Sequence, residues 1–283
     1  MNIINSKSSF LIYFIFFFIL FEVLPVCPTE IRITPPDIFP GDVVLIEVVN
    51  TSSKPTCQFN DRNIPFYLQT NKVYRCLIGI PCTLPPDKYR LFIYHKGEKK
   101  SFVIVIKKKD FPVREIRLSK NKQAILKKPE VKNETKVIKE TVKVESKKKF
   151  FYGKFILPVE GKISSEYGVR RYLNKRFLWA HKGVDIVCPV GTIVKSSNTG
   201  KVILVKDDFL LYGKTVIINH GQGVYSIYLH LSKVKVEEDN VVEKGDVIGY
   251  SGSSGLSTGP HLHWGIYLHG VAVDPLNWIE RKY

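Results

Sequence analysis

The sequence predicts an all-β protein: an N-terminal β-sandwich-like domain, a lysine-rich linker, and a second, antiparallel β domain. Three observations predict it. Short runs of β-branched and aromatic residues recur between Gly-, Pro- and Asp-containing turns on both sides of the chain's middle. Neither of those regions carries a sustained helical period. Between them, residues 107–149 hold 16 basic and 6 acidic side chains, a net +10 out of the +17 of the whole chain. At 283 residues and 44% apolar content there is room for two domains of ordinary size.

Residues 1–27 read as a signal peptide or N-terminal anchor. Lys7 precedes an unbroken apolar run from Phe10 to Phe21, long enough for a signal and short for a membrane span. Leu24-Pro-Val-Cys27 offers no small residue before the cysteine, so cleavage and retention both stay open. Residues 28–106 supply the strands Ile31-Arg-Ile-Thr, Val43 to Val49, Val73-Tyr-Arg-Cys-Leu-Ile and Tyr89-Arg-Leu-Phe-Ile-Tyr. Phe39-Pro-Gly-Asp42 and Leu84-Pro-Pro-Asp87 punctuate them, which is the pattern of a small sandwich. This region holds no catalytic constellation; its one histidine, His95, adjoins a hairpin turn at Lys96-Gly97. In the linker, residues 130–146 fit either a helix or an extended arm, and Pro129 limits any helix before it.

Residues 150–283 return to short strands, clearest at Lys201 to Val205, Thr215 to Asn219 and Val224 to Leu229. The run Gly259-Pro-His-Leu-His-Trp-Gly-Ile-Tyr is also strand-like. Side chains alternate along a strand, so His261 and His263 share a face, roughly 7 Å apart. Another imidazole and a carboxylate stand at His181 and Asp185, where Gly183 and Val-Asp-Ile-Val argue for loop and strand instead of helix. Three protein ligands and one open position is the pattern of a catalytic zinc site. Each pair alone is a common accident. They gain weight from the framework around them: Gly168-Val-Arg-Arg, Asn219-His-Gly-Gln-Gly-Val-Tyr, Tyr228-Leu-His-Leu, Gly245-Asp and Ser251-Gly-Ser-Ser-Gly-Leu-Ser-Thr-Gly-Pro.

Over residues 150 to 280 that order of motifs resembles the M23 metallopeptidases, the lysostaphin/LytM-like peptidoglycan endopeptidases. The resemblance implies an open groove and one zinc ion (Zn2+) held by His181, Asp185 and His263. It makes His230 and His261 the two non-ligand histidines that act on the attacking water and the developing oxyanion, without choosing which is the base. It further implies an exported enzyme of the periplasm or cell envelope that cuts cross-links or stem peptides of peptidoglycan. Residues 28–106 are loosely similar to the β domain that precedes some M23 peptidases. Two readings compete: a non-catalytic LytM-like activator, disfavoured because all five positions are present, and a wall-binding protein acting through its linker.

The basic linker brings no base-reading motif, so nucleic acid is not the expected partner. Anionic envelope polymer or a membrane surface is, with a merely solvated connector as the plainer alternative. A tethered segment upstream of a groove is also placed to restrain it. His220 reads as structural and His269 as a solvent-facing turn residue. Tyr172 and Trp179 line the groove or fill core, and Arg170 and Arg171 hold either the fold or a substrate carboxylate. In an exported chain at least one pair among Cys57, Cys76 and Cys82 is expected to be oxidised, with Cys188 a thiol in the core.

Overall fold

Alternating apolar residues from two sheets meet in the core of the N-terminal domain. The computed structural model describes residues 28–283, so the signal peptide or anchor expected at residues 1–27 lies outside the described residues. One sheet orders the strands Glu30–Thr34, Val43–Val49, Val73–Gly79 and Tyr67–Thr70. The other orders Arg62–Pro65, Thr56–Phe59, Lys88–His95 and Glu98–Val105. Val44, Ile46, Val48 and Ile78 of the first face Phe59, Ile64, Leu91 and Ile93 of the second. The hairpin expected at Lys96-Gly97 forms, with φ of 50° and 79° at the two residues. The Glu98–Val105 strand escapes the sequence pattern because it is a sheet edge, where Glu98-Lys-Lys-Ser stands in water.

The cysteine expectation is corrected. Cys57, Cys76, Cys82 and Cys188 are all free thiols. Cys57 and Cys76 belong to opposite sheets, are buried in the sandwich core, and behave there as small apolar side chains.

The linker is neither free nor extended over most of its length. Val113–Glu115 is a parallel edge strand on Arg170–Leu173. A short helix, Lys120–Ile125, follows its Ser119 cap. The helix Pro129–Thr141 starts with proline in its first turn, where no N–H partner is needed. Ile138 and Val142 pack this segment onto Leu204, Ile217, Tyr225 and Ile227. Glu134 buries its carboxylate to accept the N–H groups of Leu210 (2.6 Å) and Leu211 (2.9 Å).

The second domain is built on one antiparallel sheet. Its order is Lys162–Ser165, Val184–Val187, His261–Leu268, Val224–Leu231, Gly213–Gly221, Gly200–Phe209 and Val241–Val242, with Val271–Val273 also paired to His261–Leu268. One face buries Val216, Ile218, Tyr228, Leu231, Leu262, Trp264 and Ile266 in the main core. The opposite face carries the Pro129–Thr141 helix over part of its area.

The two domains are packed together. Arg75, buried, donates to Gln222 Oε1 (2.9 Å), and the Cys82 N–H donates to the Tyr167 hydroxyl (3.0 Å). This junction also corrects the reading of His269. Its Nδ1 lies 2.8 Å from Glu145 Oε1, its ring stacks on Tyr67, and its side chain is only 6% exposed. The first domain covers the turn that the sequence leaves facing water. Among the described residues no helix is long and apolar enough to cross a membrane.

Candidate active site

Register places the cluster. Asp185 and His263 are directly opposed on paired strands, and Ser165 opposes Asp185 on the next strand out. Directly opposed residues share a face with Cβ atoms about 5 Å apart. His181 joins them from the loop after the Arg176–Ala180 strand. Its N–H donates to the Val169 carbonyl, which ties the loop to the neighbouring hairpin. Gly183 is required by space: a Cβ there would sit 2.4 Å from the Trp264 carbonyl oxygen and 2.8 Å from His263 Nε2.

A bulge supplies His230. The register between the Gly213–Gly221 and Val224–Leu231 strands shifts between Lys214 and Val216, leaving one extra residue near His230. Tyr228 and Leu231 therefore both face the main core, and the two residues between them share the opposite face. His230 takes φ +63° to do so.

All five predicted residues come together. His181 Nε2, Asp185 Oδ1 and His263 Nδ1 form a triangle with every side 2.9 Å. His230 and His261 stand beside it, with ring centroids 4.9 Å apart. His181 Nδ1 donates to the Glu166 carbonyl (2.8 Å), so Nε2 carries a lone pair toward the triangle. His230 Nδ1 donates to the Ser254 carbonyl and His261 Nδ1 to the Gly259 carbonyl, both at 2.8 Å. In the neutral ring each then leaves Nε2 as the acceptor.

Electrostatics agree with a cation-binding centre. Burial alone would raise the Asp185 pKa, but the facing His181 and His263 rings hold the carboxyl far below its ordinary range, so it is ionised. Burial lowers His263 to about 4, and burial followed by the neighbouring His261 and His263 rings lowers His230 to about 3. Both imidazoles are neutral at pH 7. Two imidazole nitrogens and a carboxylate oxygen converge at 2.9 Å, close enough for their lone pairs to share one cation. The donor set, two nitrogens and one oxygen, is one that zinc accepts.

Sequence reading missed the supports of this cluster. Arg171 Nη2 lies 2.5 Å from Asp185 Oδ2 and 3.2 Å from Ser165 Oγ. The Arg170-Arg171 doublet was visible, but only pairing shows that Arg171 turns inward while Arg170 is exposed. Trp179 lines the cleft, whereas Tyr172 packs on Phe177. The 251–259 loop forms a wall, contributing Leu256, Thr258 and Gly259 to a cleft of about 240 Å³. His220 is a core residue: Nδ1 donates to the Thr199 carbonyl (2.8 Å), Nε2 bonds Ser226 Oγ (2.7 Å), and burial lowers its pKa to about 4.

Comparison with known proteins places these features in context. Residues 180–275 match peptidase family M23. The DD-carboxypeptidase/endopeptidase Mpg of Neisseria meningitidis serogroup B is 41% identical over 116 residues, covering 41% of this chain and 26% of the relative. The peptidoglycan DD-endopeptidase ShyA of Vibrio cholerae is 38% identical over 123 residues, covering 42% of this chain and 28% of the relative. The chain thus spans about a quarter of the length of these curated relatives. A crystal structure from Pseudomonas aeruginosa described as a peptidase M23 is 26% identical, covers 87% of this chain and 96% of that one, and superposes with a TM-score of 0.66. That likeness extends over both domains.

Proposed function

We propose, because residues 180–275 match peptidase family M23, that the chain is an exported zinc metalloendopeptidase acting on peptide cross-links or stem peptides of peptidoglycan, outside the cytoplasm. The observation that carries the reading is the 2.9 Å triangle of His181, Asp185 and His263 with His230 and His261 beside it. The names of the related proteins, a DD-carboxypeptidase/endopeptidase and a peptidoglycan DD-endopeptidase, support the substrate class.

His181, Asp185 and His263 would hold the ion. When bound, zinc supplies Lewis acidity, polarising a carbonyl and making a water more acidic. His230 and His261 provide the proton chemistry. Each donates Nδ1–H to a fixed backbone carbonyl, so each presents Nε2 to the cleft as a proton acceptor. A protonated Nε2 then returns its proton to the leaving amine or donates a hydrogen bond to the developing oxyanion. Fixed carbonyl partners keep both rings oriented, so little reorganisation accompanies the transfer. Arg171 holds Asp185 Oδ2 and leaves Oδ1 toward the imidazoles. The exposed linker lysines suit anionic envelope polymer or a membrane surface.

The test is hydrolysis of purified peptidoglycan sacculi by the protein with and without chelator, with metal content measured on the same sample. Released peptides that vanish with the chelator and return with zinc support the proposal. Chelator-insensitive release, or none from zinc-loaded protein, contradicts it.

A further inference from the structure

The linker supplies part of the cleft. Residues 113–116 run in extended form along the Arg170–Leu173 strand, paired through Arg170↔Val113, Arg171↔Arg114 and Tyr172↔Glu115. Ile116 N–H extends this by donating to the Tyr172 carbonyl (2.8 Å). The segment then reaches the opposite wall, where Lys122 Nζ donates to the Ser257 carbonyl (2.5 Å). Extended chain turns alternate side chains to opposite sides. Arg114, Ile116 and Leu118 line the cleft that also holds His230, His261 and His263. Glu115 points away, accepting the Lys175 N–H (3.1 Å).

Charge on that wall is unbalanced. Asp185 is the one acidic residue lining the cleft, and Arg171 already pairs with it. Arg114 donates from Nη2 to the Ser164 carbonyl (3.1 Å), which fixes the guanidinium at the cleft edge. Among the described residues no carboxylate lies within ion-pair distance of it. Its remaining N–H groups form the planar fork that matches a carboxylate. No hydrogen bond of the 113–118 segment reaches any of the five cluster residues, and the cleft stays open beside it. The segment is therefore built as a wall and not as a plug.

We propose that Arg114, contributed by the linker, is a specificity-determining residue that binds a free carboxylate of the peptide substrate, with Ile116 and Leu118 flanking it as an apolar shelf. The assignment rests on the peptidase reading above. A peptidoglycan peptide offers such a carboxylate from two sources: its C-terminus, or the α-carboxylate beside a γ-glutamyl link.

The test uses the full exported chain, zinc-loaded, and two pairs of synthetic stem-type peptides. One pair differs only in a free or amidated C-terminus, the other only in a free or amidated α-carboxylate at the γ-linked glutamate. In at least one pair the free acid should be preferred in kcat/KM by about 10-fold or more, through KM, as expected for a charge-assisted contact. Arg114→Gln should bring that pair within about 2-fold, and Arg114→Lys should keep part of the preference. The pair that responds identifies the source. If neither pair shows a preference, or if Arg114→Gln retains it, the proposal falls. A gain by Arg114→Gln on acid and amide alike would make the segment a restraint and also overturn it. If the wild-type chain cleaves none of the peptides, the peptidase reading fails by itself. Binding of the same pairs, by fluorescence anisotropy, then decides the carboxylate site on the same ratio.

Discussion

Arg171 and Asp185 divide a carboxylate between two tasks: the guanidinium takes Oδ2 at 2.5 Å, and Oδ1 faces His181 Nε2 and His263 Nδ1 at 2.9 Å. The same Nη2 also lies 3.2 Å from Ser165 Oγ, and Ser165 Oγ lies 3.3 Å from His181 Nδ1. One arginine thus braces two ligands of the proposed zinc site. Removing such a support commonly weakens metal binding about 10- to 100-fold. Arg171→Ala should fall in that range in a chelator-competition titration, with Arg171→Lys in between. Unchanged affinity in Arg171→Ala would remove Arg171 from this role.

His220 offers a pH prediction away from the cluster. Burial lowers its pKa from 6.5 to about 4 in the folded chain. As pH falls below 6.5 the unfolded state takes up a proton that the native state refuses until about pH 4. Stability from this group is therefore complete above pH 6.5 and declines between 6.5 and 4, by about 3 kcal/mol in all. Urea unfolding of zinc-loaded wild type and His220→Gln across that window should show a shallower decline in the variant. Parallel curves would contradict it.

Glu134 anchors the linker helix by accepting two backbone N–H groups, those of Leu210 and Leu211. Glu134→Ala leaves both without that acceptor and should cost about 2–4 kcal/mol in urea unfolding. Glu134→Gln keeps a carbonyl oxygen and should lose less. A loss below about 0.5 kcal/mol in Glu134→Ala would show that water replaces the carboxylate freely.

Much of this architecture was legible in the residues. Runs of β-branched and aromatic residues between turn residues located Val43–Val49 and His261–Leu268. The five cluster residues were legible through motif order, and their convergence followed from strand pairing. What stayed hidden depends on contacts distant in sequence. Residues 130–146 fitted a helix or an extended arm alike, and the helix is fixed where Leu204 and Tyr225 cover Ile138 and Val142. His269 lies in a turn that reads as exposed, yet the other domain covers it. Arg114 sits in a lysine-rich stretch whose charge suggests a solvated connector. Only pairing with Arg170–Leu173 brings it to the cleft.

The division of roles between His261 and His263, two residues apart on one strand, is the central claim, and metal content measured beside turnover tests it most directly. His181→Ala, Asp185→Ala and His263→Ala should each lose zinc and activity together, since two remaining ligands leave an incomplete site. His230→Ala and His261→Ala should keep near-stoichiometric zinc while turnover on sacculi falls on the order of 100-fold or more. Zinc retained by His263→Ala and lost by His261→Ala would reverse the assignment, and activity surviving in His263→Ala would contradict the zinc-peptidase account itself.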